Sequence, residues 1–226
     1  MHRAQPLERI AHRGAKRELP ENTIPAFRRA FERGADAIEL DVHATRDGVV
    51  VVHHDPDLSP RRAIAGMTWG EVQGLELSSG IGVPRLADVL AITPAGKTAY
   101  VEIKGERIEA AVAAVIGESS AHCAVHSFDH DAIARLRAIA SQIPRGILFD
   151  ERVSVETVRR RIEATGARDL WPRRDLIDAA LVALAHDAGA RVIAWTVNST
   201  AEAQTLLALG IEGVCTDDVR LLDDLG

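Results

Sequence analysis

Eight short runs rich in β-branched and other apolar residues, largely alternating with longer amphipathic stretches, constrain this chain more than any other feature. The runs are Leu7–Ala11, Ala37–Val42, Ala99–Lys104, Ala121–His126, Gly146–Phe149, Asp169–Trp171, Arg191–Val197 and Gly213–Cys215. Between them, apolar residues recur at i, i+3, i+4 and i+7 over Ile24–Arg33, Ile108–Ile116, Asp131–Ala140, Val153–Thr165, Leu176–Ala188 and Ala201–Leu209. That is the period of a helix with one buried face. Continuous apolar runs suit strands covered on both faces, and strand–helix alternation implies a parallel sheet with right-handed crossovers. Eight such units predict one α/β domain over residues 1–226, a closed (β/α)8 TIM barrel. The rival, an open doubly wound sheet, would want a Gly-rich phosphate loop after the first strand, and none stands there.

Composition narrows the class. At 46% hydrophobic and 27% charged residues the chain has the make-up of a globular domain, not of a disordered or fibrous one. It holds no run of 18 apolar residues, and MHRAQPLERI lacks the apolar stretch of a signal peptide, so a cytoplasmic protein without a stable membrane anchor is expected. Two cysteines, Cys123 and Cys215, are too few for a disulfide framework and fit a reducing compartment. A net charge of −6 with no basic run argues against a nucleic-acid partner. No feature selects between a monomer and a homodimer. Of 27 basic residues only Lys16, Lys97 and Lys104 are lysines.

Val49–His54 follows the second run after only a few residues, with Asp47-Gly48 between. Asp-Gly between β-branched runs signals a hairpin. A two-residue turn at Asp47-Gly48 would pair Arg46 with Val49 and set Asp41 directly opposite His54, with Cβ atoms about 4.5–5.5 Å apart.

In a (β/α)8 barrel the reactive groups gather at the C-terminal ends of the strands. His12 and Arg13 end the first; Glu39 and Asp41 share one side of the second; Glu102 and Lys104 repeat that spacing on the third. His54 joins through the hairpin, and Trp195 and Asn198 end the seventh. Carboxylates are seldom fully buried without a partner. Glu39, Asp41 and Glu102 therefore call either for a hard divalent cation, Mg²⁺ or Ca²⁺, or for a salt-bridge network with Arg13 and Lys104. His12 and His54 are of the type that shares general acid and base duties near neutral pH. The remaining histidines, His126 among them, read as structural. A cation, two imidazoles, an Arg and a Lys suit transfer at a phosphodiester, where charge builds on the phosphate oxygens. No G-x-S-x-G elbow occurs, and neither cysteine has a nucleophile's context.

His12-Arg13-Gly14, Pro20-Glu21-Asn22-Thr23, Gly34-Ala35-Asp36, Glu39-Leu40-Asp41-Val42, Thr45-Arg46-Asp47-Gly48 and His53-His54-Asp55 together resemble the glycerophosphodiester phosphodiesterases. The likeness continues through Glu102-Ile103-Lys104, Ser127-Phe128, Trp195-Thr196-Val197-Asn198 and Thr216-Asp217, nearly the whole chain. It implies a barrel with a β-hairpin after strand 2 and a small capping insertion, here at about residues 55–98, before strand 3. It also implies metal ligands at Glu39, Asp41 and Glu102, an acid–base pair at His12 and His54, and a phosphate site lined by Arg13 and Lys104. The activity it implies is hydrolysis of a small glycerophosphodiester to an alcohol and glycerol 3-phosphate. Trp195, Glu21 and Asn198 are further candidates for contact with substrate. Asn22 or Thr23 suits a helix cap before Ile24, while Phe128 and Cys215 read as packing residues.

The chain departs from the family at Pro60-Arg61-Arg62-Ala63-Ile64-Ala65-Gly66, where an Arg-Thr pair is usual, and at Asp218-Val219, where a proline is common. Both departures bear on the identity of the substrate more than on the chemistry. A lysophospholipid, a sphingolipid or another head group on the same fold, or a barrel that binds phosphate esters without turnover, are the rival readings.

Overall fold

A computed structural model describes residues 7–60, 62–78 and 80–225, so the expectations for Met1–Pro6, including His2, and for Arg61 lie outside the described residues. Eight parallel strands form the barrel: β1 Glu8–His12, β2 Ala37–Ala44, β3 Thr98–Ile103, β4 His122–Ser127, β5 Arg145–Phe149, β6 Asp169–Pro172, β7 Arg191–Ala194 and β8 Gly213–Thr216. Each pairs in parallel with the next, and β8 pairs back onto β1, which closes the sheet without an edge. The hairpin strand Val50–Val52 runs antiparallel beside β2.

Helices Ile24–Glu32, Glu109–Gly117, His130–Ile139, Val155–Thr165, Ala179–Asp187 and Thr200–Ala208 lie within two or three residues of the periodic stretches. The largest shift is at the fifth, where Asp178 accepts a hydrogen bond from Leu181 N and starts the helix three residues late. Outward strand residues such as Ile38, Leu40, Val101, Val125 and Ile147 pack beneath these helices as one apolar layer. Inside the barrel, Ile10, Ala37, Tyr100, Ala124, Leu148, Trp171, Ile193 and Cys215 fill the middle, one per strand. Below them Glu8, Asp169 and Arg191 close the N-terminal end around the Tyr100 hydroxyl: Tyr100 Oη donates to Glu8 (2.7 Å), and Arg191 donates to Tyr100 Oη (2.8 Å) and Asp169 (2.7 Å).

The hairpin corrects the expected register. Ala44 pairs with Val50 and Val42 with Val52, so Asp41 faces His53 rather than His54. The loop is a three-residue one, with Gly48 at φ +82° and its N–H donating to Thr45 O (2.9 Å). Thr45 fixes that choice: its backbone N–H donates to Val49 O (2.9 Å), while its hydroxyl donates to Asp47 and accepts from Val49 N (3.0 Å). A slip of one residue would swap the faces of the strand if it continued, but the chain leaves the sheet after His53.

The stretch between the hairpin and β3 divides in two. A small apolar cluster of Val51, Ile64, Val72 and Val83 organises a short helix Trp69–Val72 and a ribbon of Glu76–Ser78 with Ile81–Gly82. Asp47 accepts from Trp69 N (2.9 Å) and ties this cap to the hairpin turn. From Leu86 the chain rejoins the barrel as helix Leu86–Ile92, which packs between the helices Ile24–Glu32 and Glu109–Gly117.

Candidate active site

The inward parity of the strands carries past the apolar middle to their C-terminal ends. His12 stands two residues beyond Ile10, Glu39 and Asp41 beyond Ala37, Glu102 beyond Tyr100, and His126 and Phe128 beyond Ala124. Register sets Asp41, Glu102 and His126 at one level on three adjacent strands. The result is a cleft of about 170 Å³ lined by His12, Arg13, Glu39, His54, Glu102, Lys104, His126, Phe128 and Trp195, with Leu148, Trp171 and Cys215 as its floor.

The loop after β1 turns sharply to deliver Arg13 and Asn22. Gly14 has φ +79°, and a Cβ there would meet the Ala26 carbonyl carbon at 2.8 Å, so only glycine fits beneath the first helix. Thr23 caps that helix, its hydroxyl accepting from Ala26 N. Asn22, the other expected cap, instead donates its amide to Asp41 Oδ2 (2.9 Å), fully buried.

Both histidines named from the sequence reach the cleft, and each is held by a carboxylate. His12 Nδ1 donates to Asp217 Oδ1 (2.6 Å), and His54 Nδ1 to Asp55 Oδ1 (2.7 Å). A carboxylate accepts only, so the proton sits on Nδ1 and Nε2 is the free nitrogen of each ring. His12 Nε2 lies 3.8 Å from Glu39 Oε2. Although burial works against it, the hydrogen bond from His12, supported by Asn198 and Lys16, holds Asp217 well below the usual carboxylate range. Asn198 uses both ends of its amide on Asp217, donating to Oδ2 (2.9 Å) and accepting from its backbone N–H (2.9 Å). It is therefore a clamp behind His12 and not part of the cleft wall. His43 plays the matching part for His54, its Nε2 donating to the His54 carbonyl (3.1 Å).

Glu39, Asp41 and Glu102 are all buried. Burial first, then the negative charge of Asp41, pushes Glu39 and Glu102 up to about 7. The cations beside them are few: Arg13 Nε is 3.1 Å from Asp41 Oδ2, and Lys104 Nζ is 3.1 Å from Glu102 and 3.7 Å from Asp41 Oδ1. Arg13 is also held by Glu21 (2.9 Å), which accepts from Lys16 as well (2.9 Å). Glu21 thus stands at the neighbouring groove with His53, Asp55 and Asp57, while its charge is spent on positioning Arg13 and Lys16.

Glu39 Oε1 and Asp41 Oδ1 are buried oxygens without a hydrogen-bond partner, and both His126 nitrogens are in the same state. Orphaned acceptors at the focus of three carboxylates fit a divalent cation. Glu39, Glu102 and His126 each offer one atom within 4.8 Å of the others. Asp41 stands outside that set, with Oδ2 given to Asn22 and Arg13 and Oδ1 toward Lys104.

Four groups of the site lie outside the sequence expectations. His126, expected to be structural, stands at the level of Glu102 and lines the cleft, Asp217 holds His12, Asn22 holds Asp41, and Lys16 pairs with Glu21. Phe128, taken as packing, is a third exposed and meets Trp195 edge to face, with ring centroids 5.4 Å apart, at the cleft mouth. The Trp195 indole donates to Trp171 O (3.0 Å), which fixes that wall.

The sequence profile of the Glycerophosphoryl diester phosphodiesterase family matches residues 12–221. A Mycobacterium tuberculosis protein named "Probable glycerophosphodiester phosphodiesterase 2" is 31% identical over 96% of this chain and 89% of its own length. A glycerophosphodiester phosphodiesterase of Caldanaerobacter subterraneus is 30% identical over 96% of both chains. The crystal structure of a glycerophosphodiester phosphodiesterase from Thermotoga maritima superposes with a TM-score of 0.83, at 28% identity, over 99% of this chain and 100% of that one.

Proposed function

Since the chain belongs to the glycerophosphoryl diester phosphodiesterase family and is an enzyme of that class, we propose that it hydrolyses small glycerophosphodiesters such as glycerophosphocholine or glycerophosphoethanolamine to an alcohol and sn-glycerol 3-phosphate. The observation that carries this reading is the pair of carboxylate-held histidines opening on one cleft with the buried carboxylates Glu39 and Glu102.

In the reaction, one oxygen–phosphorus bond forms as another breaks. The nucleophile, either water or a neighbouring hydroxyl of the substrate, gives its proton to the free Nε2 of one histidine. The other histidine enters as imidazolium, protonated on Nε2 as well as on Nδ1, and donates its Nε2 proton to the oxygen of the departing alcohol, so that no free alkoxide is released. By the hydroxyl route a cyclic phosphate forms, which water then opens to sn-glycerol 3-phosphate with the two histidines' roles exchanged. Asp217 and Asp55 keep each ring turned with Nε2 outward and stabilise its charged form. Arg13 and Lys104 face charge that grows on the phosphate oxygens, while Glu21, itself paired with Lys16, holds Arg13 and Asn22 holds Asp41. A divalent cation at Glu39, Asp41 and Glu102, whose carboxylates alone would favour Mg²⁺ or Ca²⁺, would neutralise the acids and polarise a phosphate oxygen. Phe128 and Trp195 offer apolar surface to the carbon atoms of the substrate.

The test is release of sn-glycerol 3-phosphate from glycerophosphocholine and glycerophosphoethanolamine, with each divalent ion and with chelator. Turnover abolished by chelator and restored by a divalent ion is the expected result. No turnover of either diester with any ion would overturn the substrate assignment.

A further inference from the structure

His126 stands apart from every other buried histidine of the described residues. His43 and His130 each donate Nε2 to a backbone carbonyl, to His54 O (3.1 Å) and to Leu148 O (2.8 Å). His126 is 1% exposed, and neither ring nitrogen has a hydrogen-bond partner. Buried polar atoms are seldom left this way without a function. Its ring is fixed edge-on to Trp171, with centroids 4.3 Å apart at 83°, and near Tyr100 at 6.2 Å. That packing leaves Nε2 3.6 Å from the orphaned Oε1 of Glu39. If the position only filled space, phenylalanine would do so without stranding two nitrogens.

We infer that His126 is a nitrogen ligand of the cation held by Glu39 and Glu102, and that this centre therefore selects a first-row transition ion such as Mn²⁺ over Mg²⁺ or Ca²⁺. The inference rests on the reading above that the buried carboxylates hold a divalent cation. The three ligand atoms already lie within 4.8 Å of one another, and two ligands of a common ion stand about 4 Å apart or less, so small side-chain shifts close the set. Imidazole nitrogen favours transition ions, whereas Mg²⁺ and Ca²⁺ are held by oxygen. Asp41 gives Oδ2 to Asn22 and Arg13 and keeps its orphaned Oδ1 for the same cation, so that His126 adds to the carboxylate ligands.

The experiment uses the full chain, stripped with chelator, and does not depend on turnover. Mn²⁺ and Mg²⁺ are titrated separately by calorimetry into wild type and His126→Phe, the latter keeping a ring against Trp171. The bound Mn²⁺ is then examined by electron spin-echo spectroscopy for coupling to ¹⁴N. Wild type should bind Mn²⁺ at least about tenfold more tightly than Mg²⁺ and show imidazole nitrogen coupling. His126→Phe should lose both while keeping its Mg²⁺ affinity within a few fold. Should that variant fail to fold, His126→Gln carries the same readout. Nitrogen coupling that persists in the variant, from His12 or His54, would overturn the inference, as would Mn²⁺ bound without coupling in wild type. Either result would leave diester hydrolysis standing, because release of sn-glycerol 3-phosphate is measured separately.

Discussion

Replacing Asp217 with asparagine should reveal how the barrel's closure serves its chemistry. Asp217 lies 205 residues from His12 in sequence, yet its Oδ1 accepts from His12 Nδ1 at 2.6 Å, while its Oδ2 accepts from Asn198 at 2.9 Å. In Asp217→Asn the Asn198 amide still demands an acceptor, so the new carbonyl oxygen takes the Oδ2 place and the new NH₂ turns toward His12. Lys16, 3.4 Å from Oδ1, keeps its shorter bond to Glu21 at 2.9 Å. An amide N–H facing Nδ1 forces the imidazole proton onto Nε2, so the ring can neither take up a proton there as a base nor stand doubly protonated as an acid. A charge-assisted hydrogen bond of this kind is worth about 1.5–3 kcal/mol, or roughly 10–150-fold in rate at about 1.4 kcal/mol per tenfold. Asp217→Ala removes that bond but leaves the tautomer free, and should lower kcat by that amount. Asp217→Asn should lower it further, to about 10²–10³-fold, with KM for glycerophosphocholine changed by less than about threefold. Steady-state kinetics on both variants, with circular dichroism to verify the fold, decides the matter. Asp217→Asn with wild-type kcat, or consistently faster than Asp217→Ala, would refute the orienting role.

The remaining predictions concern the carboxylates and the loop beneath them. Glu39→Gln should weaken divalent binding, and unchanged affinity by calorimetry would favour a salt-bridge network over a metal centre. Glu39 and Glu102 have folded values pushed up to about 7, above their ordinary 4.5, so without metal the folded chain binds more protons than the unfolded chain between those values. Stability of the metal-free protein should therefore fall as pH rises from about 4.5 to about 7, and a divalent ion should raise the melting temperature more at pH 8 than at pH 5. Equal thermal shifts at both pH values would contradict this. Gly14→Ala, placing a methyl 2.8 Å from the Ala26 carbonyl carbon at φ +79°, should cost about 1–3 kcal/mol in chemical denaturation. A loss under about 0.5 kcal/mol would mean that the loop relaxes freely.

Much of this is legible in the amino-acid sequence. Strand periodicity and the i, i+2 spacing of Glu39 with Asp41 and Glu102 with Lys104 place those side chains inside the barrel, because alternation is a local property. The helix Leu86–Ile92 was hidden, since seven residues give barely two turns of periodicity amid a variable insertion. The hairpin register depended on one hydroxyl, that of Thr45, which lengthens the loop from two residues to three. His126 and Asp217 owe their roles to contacts across strands: the pairing of β3 with β4 sets His126 beside Glu102, and closure of β8 onto β1 brings Asp217 to His12. Such pairings are properties of the assembled sheet, and no local pattern announces them. No described helix is long and apolar enough to cross a membrane.

The most direct test of the central claim is the kcat of His12→Ala, His54→Ala and the double variant on one diester. If the two imidazoles act as one acid–base unit, each single variant loses at least about 10²-fold with its fold intact. The double variant should then lose little more than the worse single one. Full activity in either single variant would contradict the assignment, and losses that multiply in the double variant would show that the two histidines act independently.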